Sequence, residues 1–254
     1  LVKIGGKVLQ KSKKFTAGSE SEKQDVVFDS FDATPYDGCI VVVYEELYDE
    51  NGNLLASEKE IDNKNQTIYF VHIQTTTNNN LDPLERMKRY DKDITLPDKV
   101  WCTNLQVGET YKLDGTLMIQ EENTPVLRSD GTKVTGSTTF VADQENCWKT
   151  VMFTYNPVDC GLIGKTTIAF EDLWYKNKKI ATHSSITDLP QSNTYPFVKT
   201  VLTNKKDGSK VLDDSYEAEL VDAVSFGKIV EGEDYVVVDK IHYRSSGKPV
   251  MING

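Results

Sequence analysis

The feature that most constrains this chain is an internal repeat with a period of about 125 residues. The segment GGKVLQKSKKF, which ends at Phe15, matches DGTKVTGSTTF, which ends at Phe140. DVVF, which ends at Phe28, likewise matches TVMF, which ends at Phe153. Because both matches have the same offset and the same order, the chain is expected to fold as tandem copies of one domain.

The repeat extends to polar residues that are candidates for chemistry. VVVYEELY matches TIAFEDLW, and a glutamine follows the central glutamate of each segment about 20 residues later. The equivalent positions are Glu45 and Glu171, Gln66 and Gln191, Thr75 and Thr200, and Asp98 and Asp222. Each pair lies 124 to 126 residues apart, so the same polar positions recur in successive repeats.

The phase of the matches divides the chain into three parts. Residues 1–70 are predicted to be the C-terminal half of a first repeat. Residues 71–195 are predicted to be a complete repeat, and residues 196–254 the N-terminal half of a third. Gly6, Gly131 and Gly254 occupy the same position in their repeats, so both ends of this sequence are expected to fall within one loop of the domain.

Composition and local patterns are typical of an all-β protein. Val, Ile, Thr and aromatic residues form short runs, and clusters such as DENGN and SSGKP mark turns between them. Apolar residues do not recur at helical spacing over long stretches. About seven short strands in a repeat of this length predict tandem immunoglobulin-like β-sandwich repeats.

The acidity of the chain excludes several classes of partner. Its formal net charge of −10 is unfavourable for nucleic acid and for anionic membranes, which bind proteins with excess Lys and Arg. No apolar stretch of transmembrane length and no signal peptide is found. For a secreted protein, that indicates a mature chain or a fragment.

The cysteines decide little about function. The four cysteines show no CxxC spacing, and only three histidines could add imidazole ligands, so no metal and no cofactor are predicted. Cys147 and Cys160 flank a strand-like run. Two interpretations stay open for them: a disulfide in an oxidising compartment, or free buried thiols.

Four segments of the complete repeat carry a resemblance to a known family. They are IQTTT with Thr75, the run DKVWCTNLQVGETYKLDGTLM beginning at Asp98, TIAFEDLW with Glu171, and HSSITDLPQ from His183 to Gln191. Through them the chain resembles the VaFE-type repeat domains of Gram-positive surface proteins, a group that includes domains locked by an intramolecular Thr–Gln ester bond. The resemblance implies a Thr75–Gln191 crosslink, with Asp98, Glu171 and His183 as its catalytic residues.

The sequence departs from the family pattern at two places. In the family's H-x-D-x-x-D-x-x-Q motif, Ser185 stands at the first acidic position, whereas Asp188 keeps the second. Lys99 stands where the family commonly has threonine. The crosslinking threonine is therefore assigned to Thr75, while an isopeptide bond formed by Lys99 stays open as a rival.

An ester between threonine and glutamine requires the hydroxyl to attack a carboxamide with loss of ammonia. A base must accept the hydroxyl proton, and a donor must stabilise the oxyanion. His183 is the candidate base, and Glu171 and Asp98 are candidates for a carboxyl pair that shares one proton. Strand alternation supports a buried carboxyl, because Ala169, Glu171 and Leu173 share one face of TIAFEDLW.

Each of these residues also has an ordinary structural interpretation. Thr75 lies in a run of β-branched strand formers. A glutamine or aspartate near a turn is often a cap, and a single histidine is often a surface or core residue. The catalytic interpretation therefore depends on the combination of the repeat with the family pattern.

The two partial repeats carry a second set of crosslinking residues. Glu45 and Gln66 keep their places in the first, but Glu58 replaces the catalytic histidine. Thr200 and Asp222 open the third. One interpretation is that the sequence is a window on a longer array. The other is that Thr200 and Asp222 of one chain complete a site with Glu45 and Gln66 of the next, which would build a fibre.

The leading functional interpretation is a structural stalk or fibre segment of a secreted, cell-wall-associated adhesin or pilus-like protein. An internal crosslink resists unfolding, and repeats that contact mainly their neighbours form a linear array. Its partners would be neighbouring repeats or identical chains. The alternative is a binding module whose loops recognise a host glycan or protein through Trp101, Trp148 or Trp174. A hydrolase is not favoured, because the crosslinking threonine would be consumed once.

Overall fold

The computed structural model describes residues 3–4, 6–77, 82–89, 92–213 and 217–251. Seventeen β-strands lie in this part of the chain, together with one short α-helix and three 3-10 turns. The all-β prediction is confirmed. Within the same residues, no helix is long and apolar enough to cross a membrane, and no group of three or more His, Cys, Asp or Glu side chains is placed to hold a metal ion.

The first segment forms small, separate strand pairs. Its strands are β1 (Lys3–Ile4), β2 (Lys7–Val8), β3 (Ile40–Val42), β4 (Glu45–Tyr48), β5 (Leu54–Glu58) and β6 (Thr67–Tyr69), with 3-10 turns at Thr34–Tyr36 and Lys64–Gln66. The antiparallel pairs are β1 with β2, β3 with β6, and β4 with β5. Residues 9–33 form no strand.

The central repeat contains longer strands. They are β7 (His72–Thr76), β8 (Ile94–Thr103), β9 (Thr110–Ile119), β10 (Thr124–Pro125), β11 (Thr135–Val141), β12 (Cys147–Tyr155), β13 (Thr166–Tyr175), β14 (Lys178–His183) and β15 (Ser192–Thr194). A short helix, α1 (Pro83–Arg86), follows β7, and a 3-10 turn at Leu189–Gln191 precedes β15.

Two antiparallel sheets form from these strands. One has the order β12–β8–β7. In the other, β13 pairs with β9, β14 and β15, and β9 also pairs with β10 and β11. The sheets pack face to face around one core, in which Val100, Leu113, Phe153 and Leu173 are fully buried. The predicted β-sandwich is therefore present in the central repeat.

The third segment is a hairpin followed by an extended chain. Its strands are β16 (Phe197–Asn204) and β17 (Leu220–Gly227), which pair antiparallel. Residues 228–241 form no strand, and a single antiparallel bridge joins His242 to Pro249.

In the described parts of the first and third segments, the strands form only two-stranded sheets and no sandwich. Residues 10–16 and 22–30 correspond to β11 and β12, whose partners in the central repeat are β9 and β8. Residues 234–243 correspond to β9, whose partners are β11 and β13. Apart from the bridge at His242, none of these stretches is paired as a strand, which agrees with the need of a strand for a neighbour to complete its backbone hydrogen bonds.

All four cysteines are free thiols. Cys147 begins β12, and Cys160 lies beyond its other end. A strand of nine residues spans about 30 Å, which is far beyond the reach of a disulfide, so these two cysteines do not form one. The alternative of buried thiols agrees with the structure, because Cys147 and Cys160 are each only 8% exposed.

Candidate functional site

Four of the predicted site residues meet in the core of the central repeat. Thr75 on β7 and Asp98 on β8 come from one sheet. Glu171 on β13 and Gln191 in the last 3-10 turn come from the other. All four are buried, with exposed fractions of 4% or less. The site therefore spans the two sheets and joins the first strand of the repeat to its last turn.

The carboxyl group of Glu171 contacts both residues of the predicted crosslink. Thr75 Oγ1 donates a hydrogen bond to Glu171 Oε2 at 3.2 Å, and Gln191 Nε2 donates to the same oxygen at 3.1 Å. The hydroxyl of Thr75 and the carboxamide of Gln191 are thus both bonded to one oxygen atom. This is the arrangement in which proximity replaces a collision between separate groups.

Asp98 and Glu171 form a pair of buried carboxyls. Neither oxygen of Asp98 has a donor among the described residues, and Glu171 Oε1 has none either. Burial raises the pKa of Asp98 to about 6. Burial, followed by the neighbouring Asp98 carboxyl, raises the pKa of Glu171 well above its ordinary value. One proton shared between the two groups would join one Asp98 oxygen to Glu171 Oε1.

His183 lies beside this pair and faces an acid that sequence reasoning left out of the site. On β14 it stands in register with Glu171 on β13. Its Nε2 is 2.7 Å from Asp188 Oδ2, and both side chains are mostly buried. The positive field of His183 lowers the pKa of Asp98, against the larger effect of burial. The five-residue spacing in HSSITDLPQ was the signal for the His183–Asp188 pair.

Backbone contacts fix the last turn against the end of β7. The Thr77 amide donates to the Pro190 carbonyl at 3.1 Å, and Thr76 Oγ1 donates to the same carbonyl at 3.2 Å. Asn193 Nδ2 donates to Thr77 Oγ1 at 3.0 Å. The turn thus positions the side chain of Gln191 in the site, where its Oε1 is buried and has no hydrogen-bond donor among the described residues.

Comparison with known families agrees with this geometry. The family model described as the T-Q ester bond containing domain matches residues 3–70, 72–194 and 196–251. The chain belongs to this family. A search of curated proteins finds no match to it.

Two solved structures have a partial likeness to this T-Q ester bond chain. The first is a bacterial adhesin from Mobiluncus mulieris that contains intramolecular disulfide, isopeptide and ester bond crosslinks. The two sequences are 12% identical, and the structures match with a TM-score of 0.40. The match covers 61% of this chain and 75% of the adhesin chain. The second is a glycosyl hydrolase family 2 member from Bacteroides cellulosilyticus, with 9% identity, a TM-score of 0.34, and coverage of 56% and 17%. At these scores neither likeness assigns a function.

In this T-Q ester bond domain, Lys99 lies away from the crosslinking residues. Along β8, buried and exposed positions alternate, with Asp98 facing the core and Lys99 exposed on the outer face. Because neighbouring strand residues point to opposite faces, Lys99 does not reach the buried carboxyls. The structure therefore gives no support to the isopeptide interpretation.

The second crosslink set is divided between the partial T-Q segments. In the first, Gln66 Nε2 donates to Glu45 Oε2, and Glu58 stands opposite Glu45 where His183 stands opposite Glu171. In the third segment, Thr200 and Asp222 are the counterparts of Thr75 and Asp98, and the Thr200 hydroxyl donates a hydrogen bond to Asp222. The structure does not bring these two halves together. Glu45 and Thr200 are both exposed.

The three tryptophans of the binding alternative lie at two places on the T-Q sandwich. Trp101 and Trp148 are cross-strand partners on the outer face of β8 and β12, with ring centroids 5.1 Å apart, and Trp148 is 56% exposed. Trp174 lies on the other sheet, where it borders a shallow depression with Lys112 and Lys176.

Proposed function

We propose that the central repeat closes itself with an ester bond between Thr75 and Gln191. The observation that carries the proposal is that Glu171 Oε2 accepts hydrogen bonds from both Thr75 Oγ1 and Gln191 Nε2 in a dry core. Thr75 Oγ1 attacks the side-chain carbonyl carbon of Gln191, the C–N bond breaks, and the nitrogen leaves as ammonia. The step happens once per domain, because it consumes both side chains.

Proton movement in this step uses the carboxyl pair. The hydroxyl proton of Thr75 passes to Glu171 Oε2, while the shared proton on the other oxygen of Glu171 moves to Asp98. The proton then returns through Glu171 to the departing nitrogen of Gln191. Sequence reasoning assigned the first acceptance to His183, whereas the contact that Thr75 makes is with Glu171. His183, held by Asp188, lowers the pKa of Asp98 and so helps to keep one carboxyl of the pair ionised and able to accept the hydroxyl proton.

The position of the bond indicates a mechanical role. It joins β7, the first strand of the repeat, to the turn before β15, the last. A pulling force that enters at residue 71 then passes through the ester and leaves at residue 195, without loading the strands in between. We propose that the chain is a load-bearing segment of a secreted surface adhesin or fibre, in line with its resemblance to VaFE-type surface domains.

Intact mass spectrometry tests the crosslink. The wild-type chain is expected to weigh less than its sequence mass by one ammonia, and Thr75→Ala is expected to restore the full mass. Thr95→Ala removes an exposed strand threonine of the same repeat and is expected to keep the loss. A wild-type chain with its full sequence mass would show that no crosslink forms.

Hydroxylamine separates the ester from an isopeptide. It cleaves esters and leaves amides intact, so it is expected to abolish the linkage between the peptides that carry Thr75 and Gln191. A linkage that resists hydroxylamine and disappears with Lys99→Ala would replace the ester with the rival bond.

A second candidate function is ligand binding at the Trp101–Trp148 pair. The observation in its favour is that Trp148 is 56% exposed, with its ring tilted by 46° against that of Trp101, because exposed aromatic pairs are typical of contact sites. Binding to an immobilised glycan or host protein is expected to fall with Trp148→Ala. Exposed Met152→Ala on the same strand is the control and is expected to leave the binding unchanged.

A further inference from the structure

Two cysteines of the central repeat lie directly opposite each other on neighbouring strands. Cys102 on β8 pairs with Cys147 on β12 in the antiparallel register, and both are free thiols in the structure. Trp101 and Trp148 form the next pair of the same register, on the outer face of the sheet. Because successive strand residues point to opposite faces, both thiols point from one side of the sheet into the core.

The two thiols share one apolar environment. Cys102 is fully buried and Cys147 is 8% exposed, and both belong to the same cluster of core residues as Val100 and Val151. Burial, followed by the neighbouring Cys147, raises the pKa of Cys102 to about 12. The two sulfur atoms are therefore close enough to influence each other electrostatically.

The spacing of the strand pair fits a disulfide. Directly opposite residues of an antiparallel pair have Cα atoms about 4.5 to 5.5 Å apart. A disulfide joins residues whose Cα atoms are usually about 4.4 to 6.8 Å apart and whose Cβ atoms face each other. Cys102 and Cys147 meet both conditions, because β8 and β12 pair without a shift of register over the nine residues of β12.

Neither of the other two cysteines lies opposite Cys102 or Cys147. Cys160 follows the far end of β12, with the length of that strand between it and Cys147. Cys39 is exposed, whereas Cys102 is fully buried. The register thus singles out one pair among the four cysteines of the chain.

We propose that Cys102 and Cys147 form a disulfide that joins β8 to β12 when the chain folds in an oxidising environment. In the first step, the Cys147 thiolate attacks one sulfur of a small disulfide such as oxidised glutathione. A mixed disulfide forms and one glutathione leaves as its thiol. The Cys102 sulfur then attacks Cys147 Sγ and displaces the second glutathione. The two cysteines lose two hydrogens in all, and the same two electrons reduce the small disulfide.

The surroundings favour Cys147 as the first thiol to react. It begins β12, an edge strand of its sheet, whereas Cys102 lies on the central strand β8. Burial raises the pKa of Cys147, and the ammonium group of Lys149 partly offsets that effect. Because the thiolate is the attacking form, a positive group beside Cys147 favours attack by this residue. The fully buried Cys102 then reacts with a sulfur that already lies beside it.

The bond would strengthen the sheet that carries two residues of the ester site. It closes a loop of 44 residues between the cysteines, which restricts the unfolded chain. The strand order β12–β8–β7 places the disulfide on one side of β8 and Thr75 on the other. The disulfide and the proposed ester share no residue, so this inference holds or fails independently of the ester.

A count of free thiols after oxidative refolding tests the bond. All chains in this test carry Cys39→Ala, which removes the exposed thiol and prevents disulfides between separate chains through it. The chain is refolded with reduced and oxidised glutathione, unfolded again without reductant, and alkylated with iodoacetamide. Of its three remaining cysteines, only Cys160 is expected to take up a label. Uptake of three labels would overturn the proposal.

Cys147→Ala and Cys160→Ala form a matched pair, because each removes one thiol that is 8% exposed. In the same background, Cys147→Ala is expected to take up two labels and Cys160→Ala none. Peptide mapping without reductant is expected to find the peptide that carries Cys102 linked to the peptide that carries Cys147. A link from Cys160 to either of them would overturn the assignment of the pair.

Thermal unfolding with and without reductant tests the effect on stability. In Thr75→Ala, which lacks the ester, the midpoint of the oxidised chain is expected to lie about 10 °C above that of the reduced chain. Adding Cys147→Ala is expected to abolish the dependence on reductant. A linked chain whose midpoint does not respond to reductant would show that the bond does not stabilise the sheet.

The bond also shortens the chain that a pulling force can extend. In oxidised Thr75→Ala, the 44 residues between the cysteines stay closed, so the released length is expected to be about 150 Å shorter than with a reductant. A reductant is therefore needed to release all the residues between Thr75 and Gln191. Equal lengths with and without reductant would contradict the disulfide.

Discussion

At the scale of single residues, the proposed reactivity depends on two acids, Asp98 and Glu171, that are buried side by side. Both side chains are buried together with the polar side chains of Thr75 and Gln191, and burial is the largest cause of the raised pKa of each acid. An ordinary surface carboxylate would not hold a proton near neutral pH. Burial in the sandwich therefore favours the protonated form of these carboxyls, and the proposed reaction uses only side chains of this chain.

The raised pKa values predict that the uncrosslinked domain is more stable in mild acid. A carboxyl whose pKa is higher in the folded state favours folding when it is protonated, and this contribution is lost as pH rises through the folded value. For Asp98, whose pKa rises from 3.8 to about 6, the loss begins above about pH 4 and is largely complete above pH 6. For a shift of this size the change is on the order of 3 kcal/mol.

Denaturant unfolding of Thr75→Ala at a series of pH values measures this effect. We use the uncrosslinked variant because an ester would keep the chain closed at all pH values. Adding Asp98→Asn is expected to flatten the dependence. Stability of the Thr75→Ala chain that rises between pH 4 and pH 7 would contradict the buried acid pair.

The histidine supports a second prediction at this scale. His183→Gln is expected to slow crosslinking by about 100-fold, because it removes the side chain that lowers the pKa of Asp98 and so helps to keep one carboxyl of the pair ionised. The measurement is the fraction of chains that have lost ammonia as a function of time after refolding. His72→Gln is the matched control, since His72 contacts exposed Asp37 outside the site, and it is expected to crosslink at the wild-type rate. Equal rates for the two variants would remove His183 from the mechanism.

The sequence predicted the members of the site better than their contacts. Alternation in TIAFEDLW placed Glu171 on a buried face, and in the structure Glu171 is 1% exposed. The role of Asp188 and the bond from Thr75 to Glu171 were not predicted. Both contacts depend on how closely the turn after β14 lies to the end of β7. The spacing of residues along one strand does not determine that distance.

At the scale of elements, the same sequence pattern gives a strand only where its partner is present. TVMF lies within β12, whereas the matching DVVF forms no strand. Local pattern and propensity are nearly the same in the two segments, so the difference comes from the neighbouring strand β8. Sequence reasoning predicted strands from the repeat alone and could not state which of them would be paired.

Gly115 gives a prediction about how closely the sheets pack. A Cβ at this position would lie 2.5 Å from Phe153 Cζ and 2.9 Å from Val151 Cγ1. Gly115→Ala in the Thr75→Ala background is therefore expected to lower the free energy of unfolding by about 1 to 3 kcal/mol. Thermal or denaturant unfolding measures it. Ser137→Ala, at an exposed strand position, is the control, and an equal loss in the control would show that packing at Gly115 is not the cause.

At the scale of the whole molecule, short joints connect the repeats. Only residues 70–71 separate β6 from β7, and only residues 195–196 separate β15 from β16. At the second joint, Lys228 Nζ lies 2.6 Å from Glu121 Oε1 and 2.9 Å from Thr166 Oγ1. Short links and direct contacts leave little freedom between neighbours, as a force-bearing array requires.

Pulling on the two ends of the chain tests the load-bearing role directly. The ester would enclose the 115 residues between Thr75 and Gln191, so force cannot extend them while the bond is intact. In Thr75→Ala the same residues unfold and, at about 3.5 Å per residue, release roughly 400 Å of chain. A single-molecule force measurement is therefore expected to show this extension in Thr75→Ala and not in the wild type or in Thr95→Ala. Full extension of a wild-type chain that has already lost its ammonia would mean that the bond lies outside the path of the force.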